Sequence, residues 1–448
     1  METLITQPRE PSGSPEAAAS SPGWVMLGYY NHNWASDSTT VVCDGMTCAA
    51  AKTSKGRSIQ VSFNLVAPPG ISTFYFNWVG GAPDGNDRYK LASNVITAHN
   101  NCIIFQVNVV LMCGDYRRGS HDETDYFLYE ACAAGQPPSL SLLPACFFSR
   151  MYHRQNVTSP GLLHIQNVSP DHARSMRKDC TGLLRCGDDG LMVVELELPY
   201  GDDNPRNTAE LCMLWRGEWE LRVVPIIFPN AGKPRKLMEG WSTDVVVPVA
   251  DRFLCWVDYL RGFLLGDMAE DTPELRYIPL PFEPPVDSFD FDRRPNMKRS
   301  RSLGAAGAAS VKFVTVESRC CCGGPGRTTC VRGRFAFTVT TWTLNLTTKN
   351  EPMAAWVKDG MLDCEELWPL PGYKSLPRVP VEYPIVSVDD PDVVCFTVCS
   401  DYRSYLDSEV RKVWFMEVDM RSKALRSVVP CTGKDRPEGY NVPLKLQH

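Results

Sequence analysis

The segment FLCWVDYLRGFLLGDM, Phe253 to Met268, sets two carboxylates, Asp258 and Asp267, near the ends of two apolar runs separated by a short turn. Paired carboxylates are the groups that general acid and base chemistry uses. On consecutive strands the two could face each other, but like charges directly opposed are unfavourable unless each has its own partner. The expectation is therefore structural. Each carboxylate accepts hydrogen bonds from turn groups or a neighbouring unit, Arg261-Gly262 makes a tight turn, and Trp256 supplies core bulk.

Other stretches offer other chemistry. His121-Asp122-Glu123-Thr124-Asp125 has oxygen and imidazole ligands for a metal, but acidic residues just before an apolar run are also what a turn uses. The same holds for the acidic pairs Asp188/Asp189, Asp202/Asp203 and Asp389/Asp390, which adjoin Gly, Asn or Pro. Arg319 to Cys330, RCCCGGPGRTTC, has three consecutive cysteines, whose side chains diverge, and lacks the paired spacing that tetrahedral zinc needs. Its GGPGRTT portion has Arg327 where a phosphate loop needs Lys, and Cys321 where that loop needs Gly. No G-x-S-x-G elbow is present. No metal or cofactor is expected. The basic cluster Arg293, Arg294, Lys298, Arg299 and Arg301 follows Asp287, Asp290 and Asp292. It reads as a solvated loop or as a nuclear-localisation patch, with Ser300 and Ser302 as candidate kinase targets.

The elements that must position these residues are short. Runs such as SIQVSFNLV (58–66), NCIIFQVNVVLM (101–112), LMVVELEL (191–198) and VVCFTVC (393–399) are rich in β-branched and aromatic residues and bounded by turn formers. Helical expectations are confined to 169–185 and 356–370. One unit recurs: a strand ending in a polar residue, a turn, then a strand ending in Pro. It occurs at 128–144, 214–225, 266–281 and 417–430. Quasi-repeated hairpins over this length point to a mainly β chain, a single β-propeller-like domain of six or seven irregular blades averaging roughly 60–70 residues. The alternative is two β-sandwich domains. Residues 1–22 are expected to be a disordered tail, 23–432 the domain with a long exposed loop at about 283–310, and 433–448 a C-terminal tail.

The totals agree with a folded chain: 448 residues, 44% hydrophobic, with 11 Trp and 18 Phe. A formal charge of −6 is opposite to the strong basic face that nucleic-acid binding needs, so no nucleic-acid partner is expected. No apolar run approaches the length of about 20 residues that a membrane span needs, and the first 22 residues have no apolar signal core. A cytoplasmic or nuclear location is expected, with the 18 cysteines mostly as thiols.

The run WSTDVVVPVADRFLCWVDYLRGFLLGDMAEDTPELRYIPLPF (241–282) resembles the signature of the plant "domain of unknown function 1618" family, expanded in grasses. Further similar stretches span about 24–430, from the opening Trp24 to VDMRSKALRSV. The resemblance implies Trp256, Asp258, Gly262, Asp267, Pro279 and Pro281 as signature residues with structural roles. It also implies likeness to the β-propeller part of plant F-box proteins, although residues before Trp24 are too few for an F-box. The family has no established activity. The expectation is a non-catalytic module for an unidentified protein partner. The alternatives are a hydrolase or lyase with its site in a central channel, or a nuclear regulatory factor. The sequence does not set the oligomeric state.

Overall fold

A computed structural model describes residues 23–31, 47–81, 89–111, 120–131, 136–148, 173–186, 190–198, 207–229, 238, 240–282, 294–320, 335–347, 355–400, 412–431 and 441–445. The apolar runs are strands. The first sheet holds β1 (Trp24–Gly28), β3 (Ala49–Lys52), β4 (Ser58–Asn64) and β5 (Ile71–Trp78), and the two-residue β2 (Tyr30–Asn31) passes to the second. The second continues with β6 (Tyr89–His99), β7 (Cys102–Leu111), β8 (Ser120–Glu130) and β9 (Ser139–Leu142). The third is β10 (Thr181–Cys186), β11 (Gly190–Glu197), β12 (Thr208–Trp215) and β13 (Glu218–Ile227). The fourth is β14 (Val245–Val249), β15 (Phe253–Asp258), β16 (Gly262–Asp267) and β17 (Leu275–Pro279), joined to the third by a short parallel contact of β13 with β17. The fifth is β18 (Arg301–Ala305), β19 (Ser310–Ser318), β20 (Phe337–Asn345) and β21 (Val357–Asp363). The sixth is β22 (Glu382–Val386), β23 (Val393–Cys399), β24 (Val413–Asp419) and β25 (Ala424–Pro430). The last strand, β26 (Asn441–Lys445), returns to the first sheet and pairs antiparallel with β1, Trp24 opposite Lys445.

The apolar cores lie between consecutive sheets. Phe74 and Phe105 join the first to the second, and Leu183 and Ile104 the second to the third. Trp256 and Leu211 join the third to the fourth, and Phe263 and Phe313 the fourth to the fifth. Phe337 and Phe396 join the fifth to the sixth, while Met26 and Cys395 bring the sixth back to the first. The sheets therefore form a ring, the β-propeller-like arrangement expected from the hairpin repeat rather than two sandwiches. The four recurring hairpins are the last two strands of the second, third, fourth and sixth sheets. Side chains alternate across a strand. In β15, Leu254 and Trp256 face the third sheet, while Phe253, Cys255 and Val257 face the fifth. Every residue of β15 and β16 is buried.

Several local expectations change. The end of the expected helix at 169–185, residues 181–185, lies in strand β10, preceded by a turn. Of 356–370, residues 357–363 are strand β21, and only Cys364–Leu367 is helical (α1), started by a capping box between Asp363 and Glu366. Within the stretch read as an exposed loop, 301–305 form β18 and Leu303 is buried. Apolar alternation is weak there because Gly304 lies against Val386, where a Cβ would come within 2.7 Å of that side chain. Of the expected C-terminal tail, 441–445 form β26, because β1 otherwise has an open edge. Residues 1–22 and 283–293 lie outside the described residues. Eleven described cysteines are free thiols, and Cys48 is disulfide-bonded.

Trp256 has no exposed surface, and its indole N–H donates to the Cys180 carbonyl at 2.9 Å, tying the fourth sheet to the entry of the third. Trp256→Ala is expected to cost about 3–5 kcal/mol in urea unfolding. A loss below about 1 kcal/mol would show that this contact does not hold the two sheets together.

Candidate functional site

The two signature aspartates do not meet. Asp258 pairs in register with Gly262, and Asp267 with Phe253, so they sit at opposite ends of one hairpin. Five strand steps of about 3.4 Å separate them by roughly 17 Å. Each has its own partners. Asp258 is fully buried and accepts from the N–H groups of Leu260 (2.8 Å) and Ser242 (3.1 Å) and from the Arg294 guanidinium at 2.8 Å. Arg294 also bonds Asp244 at 2.7 Å. Burial pushes the Asp244 carboxyl above its usual range, against the pull of Arg294. Asp267 accepts bonds from both Nε and Nη2 of Arg252, the shortest 2.7 Å, and one from the Ala269 N–H.

The turn between the two strands is Tyr259–Arg261, closed by Arg261 N–H to Asp258 C=O. Gly262 follows it because a Cβ there would lie 2.5 Å from the Ile278 carbonyl. The Pro279 carbonyl accepts from Trp356 at 2.8 Å, and Pro281 lies in the bend after β17. The signature is a brace between sheets.

Glu123 and Asp125 are buried neighbours on one face of β8, not turn residues. They hold the β3–β4 turn: Asp125 accepts from Ser54 N–H at 2.8 Å, and Glu123 from Lys55 N–H at 3.0 Å. No group of three or more His, Cys, Asp or Glu suited to a metal occurs among the described residues. Residues 321–330 of the cysteine-rich stretch lie outside them.

The basic cluster is anchored rather than loose. Arg294 is in the Asp258 brace, Lys298 bonds Asp179 at 2.9 Å, and Arg299 pairs with buried Glu382. Arg301 differs. One N–H bonds the Tyr259 carbonyl, and its guanidinium lies over the Phe282 ring, 3.9 Å from the centroid. No carboxylate among the described residues pairs with it. Burial pushes it down to about 10, against the weaker pull of Glu317, Asp244 and Asp258. Arg293 lies outside the described residues.

Lys298 and Arg301 reach the centre of the ring. The innermost strands β6, β10, β14, β18, β22 and β26 surround a cavity of about 450 Å³. Its walls are mostly apolar, from Val245–Val247, Leu303 and Ile385–Val386 among others, with Tyr29, Tyr259 and Tyr383. Its charged lining is Lys178, Lys298 and Arg301, and no Asp or Glu lines it among the described residues. Lys178 lies over the Tyr29 ring, and the Lys298–Asp179 pair joins the approaches to β18 and β10 at one rim. At the other rim His99 ends β6. Its Nδ1 accepts from Arg185 N–H at 3.3 Å, and its Nε2 lies 3.8 Å from Asp251. Burial pushes the imidazole down to about 4, opposed by Asp251. The cavity thus brings together Arg301 and His99, but from opposite rims.

Sequence reading singled out Lys298 and Arg301 but missed Lys178, His99 and the tyrosines. A usable signal was the proline inside the short runs VVVPV, EYPIV and NVPLK, each an innermost strand. Proline cannot donate to a ladder and is confined to edge strands and bulges.

The ring and its axial cavity define a β-propeller-like protein. Residues 256–395 match the family model described as "Protein of unknown function (DUF1618)", from β15 to β23. The matched segment takes in most of the hairpin, so the match supports the unknown-function family resemblance over those residues. No curated protein matches. Among solved structures the chain is similar to the WD40 domain of SCAP from fission yeast, at 11% identity and a TM-score of 0.33, covering 87% of this chain and 77% of that one. It is also similar to a glycosyl hydrolase from Bacteroides ovatus, at 9% identity and a TM-score of 0.22, covering 79% of this chain and 86% of that one. No helix among the described residues is long and apolar enough to cross a membrane.

Two expectations follow from these contacts. Asp258→Asn strips a closed site of one of the two carboxylates that balance Arg294, the fully buried one, and is expected to cost about 3 kcal/mol in urea unfolding. Asp267→Asn, whose partner Arg252 is 44% exposed, is expected to cost about 1 kcal/mol or less. Equal losses would contradict the brace. For His99, the unfolded imidazole takes its proton near 6.5 and the folded one only near 4. As pH falls through that window the unfolded state binds more protons, so stability falls, by up to about 1.4 kcal/mol per pH unit from this group. His99→Gln is expected to flatten that part of the stability curve; an unchanged slope would contradict the assignment.

Proposed function

We propose that the protein is a non-catalytic protein-binding module that receives its partner on the face bearing the cationic mouth of the axial cavity. The observation that supports this most is the cavity itself: pre-formed, largely apolar, and, among the described residues, charged by Lys178, Lys298 and Arg301. Concave apolar sites with a few placed polar groups are where ligands bind. The conspicuous carboxylates, Asp258, Asp267, Glu123 and Asp125, all have structural partners away from that lining. A plant origin and a cytoplasmic or nuclear location belong to the same proposal and rest on the sequence resemblance and the many free thiols.

The test is proximity labelling in plant cells, followed by hydrogen-exchange footprinting of the purified complex. Exchange is expected to slow in residues 178–181 and 298–303 when the partner binds. Recovery of no reproducible partner, or a footprint confined to the outermost strands, would contradict the proposal.

A further inference from the structure

We propose that the axial cavity is an oxyanion site, in which Arg301, with Lys178 and Lys298 at the mouth, receives the carboxylate of an acidic, partly apolar segment of the partner. This rests on the protein-binding reading above and adds the chemistry of what enters.

Three observations converge. The first is charge. In a chain of net charge −6, the charged lining of the cavity among the described residues is cationic, with Lys298 already paired to Asp179 at the rim and Arg301 facing no carboxylate. Arg301 has a carbonyl and an aromatic face as neighbours, but no carboxylate among the described residues. A largely desolvated cation without a counter-charge is costly, whereas a fork of N–H donors matches a carboxylate in two parallel bonds.

The second is shape. The wall beside Arg301 is apolar, from Val245–Val247 on one strand to Ile385–Val386 on another. A bare inorganic anion would leave that wall uncovered; an acidic side chain with apolar neighbours fills both parts. The strand edges facing the axis carry Pro248, Pro384 and Pro443, which lack an N–H. Recognition therefore runs through side chains rather than by adding a strand to the sheet.

The third is backbone conformation. Tyr383 lines the cavity at φ 50°, where the register of β22 slips between Glu382 and Ile385. Such a conformation is disfavoured for a bulky residue and is held where the surroundings impose it, often at ligand sites.

The test is calorimetric titration of the full chain with three probes: a Leu/Glu-containing hexapeptide, its Leu/Gln counterpart, and inorganic phosphate. The Glu peptide is expected to bind, with affinity falling as salt rises. The Gln peptide should bind at least about tenfold more weakly, as loss of a charge-assisted bond implies. Phosphate should also bind more weakly, since it covers none of the apolar wall. Arg301→Met is expected to weaken the Glu peptide by about 10- to 100-fold, and Arg301→Lys by less. Because Arg301 also stacks on Phe282, Lys178→Met is measured beside it, with thermal melts of each variant; it should weaken the Glu peptide and leave the Gln peptide unchanged. Equal binding of the Glu and Gln peptides, or wild-type affinity in both Met variants, would overturn the proposal. Phosphate binding as tightly as the peptide would overturn the acidic-segment assignment. If these fail while a partner still footprints at residues 178–181 and 298–303, the protein-binding reading stands and only its chemistry is wrong.

Discussion

Each sheet in this protein is covered on both faces by its neighbours, and the rest of the structure depends on that covering. A four-stranded sheet cannot bury both faces alone. Here Trp256 works into the third sheet while Phe263, on the same hairpin, works into the fifth. The same two-sided burial runs through β12 and β23. The arrangement is circular, so no sheet can be first or last. The pairing of β26 with β1 meets that condition by joining the two ends of the described chain in one sheet.

The two-sided burial also explains what was legible. A strand buried on both faces reads as an unbroken apolar run, not an alternating one. That is why Phe253–Asp258 and Val393–Cys399 stood out. The outer hairpins stood out through their terminal prolines. The innermost strands were harder: β18 is Arg-Ser-Leu-Gly-Ala, and its small residues answer a close approach to Val386 that no local pattern signals. β26 was hidden for a similar reason, since its place depends on a partner more than 400 residues earlier.

The site was legible only in fragments. The basic residues at 294–301 were visible as a cluster, but a cluster in sequence does not say which charges are spent. Arg294 and Arg299 are held by buried acids and Lys298 by Asp179 at the rim, while Arg301 lines the axis with no carboxylate partner among the described residues. Lys178 and His99 come from other sheets and share no motif with them. The Asp258–Asp267 pair shows the opposite case. Close in sequence and alike in setting, the two are carried to opposite ends of a hairpin by an antiparallel register. Their work is to fix Arg294 and Arg252, and through them the loops that surround the cavity mouth and the opposite rim.

The cavity exists only if the ring closes, so closure is the claim on which the account stands. Residue-resolved amide hydrogen exchange on the intact chain measures it most directly. The account predicts that the ladder amides of β1 and β26 are protected to nearly the same degree as those of β15, opening only with global unfolding. Exchange of β1 and β26 at the rate of a free edge, with β15 still protected, would contradict it.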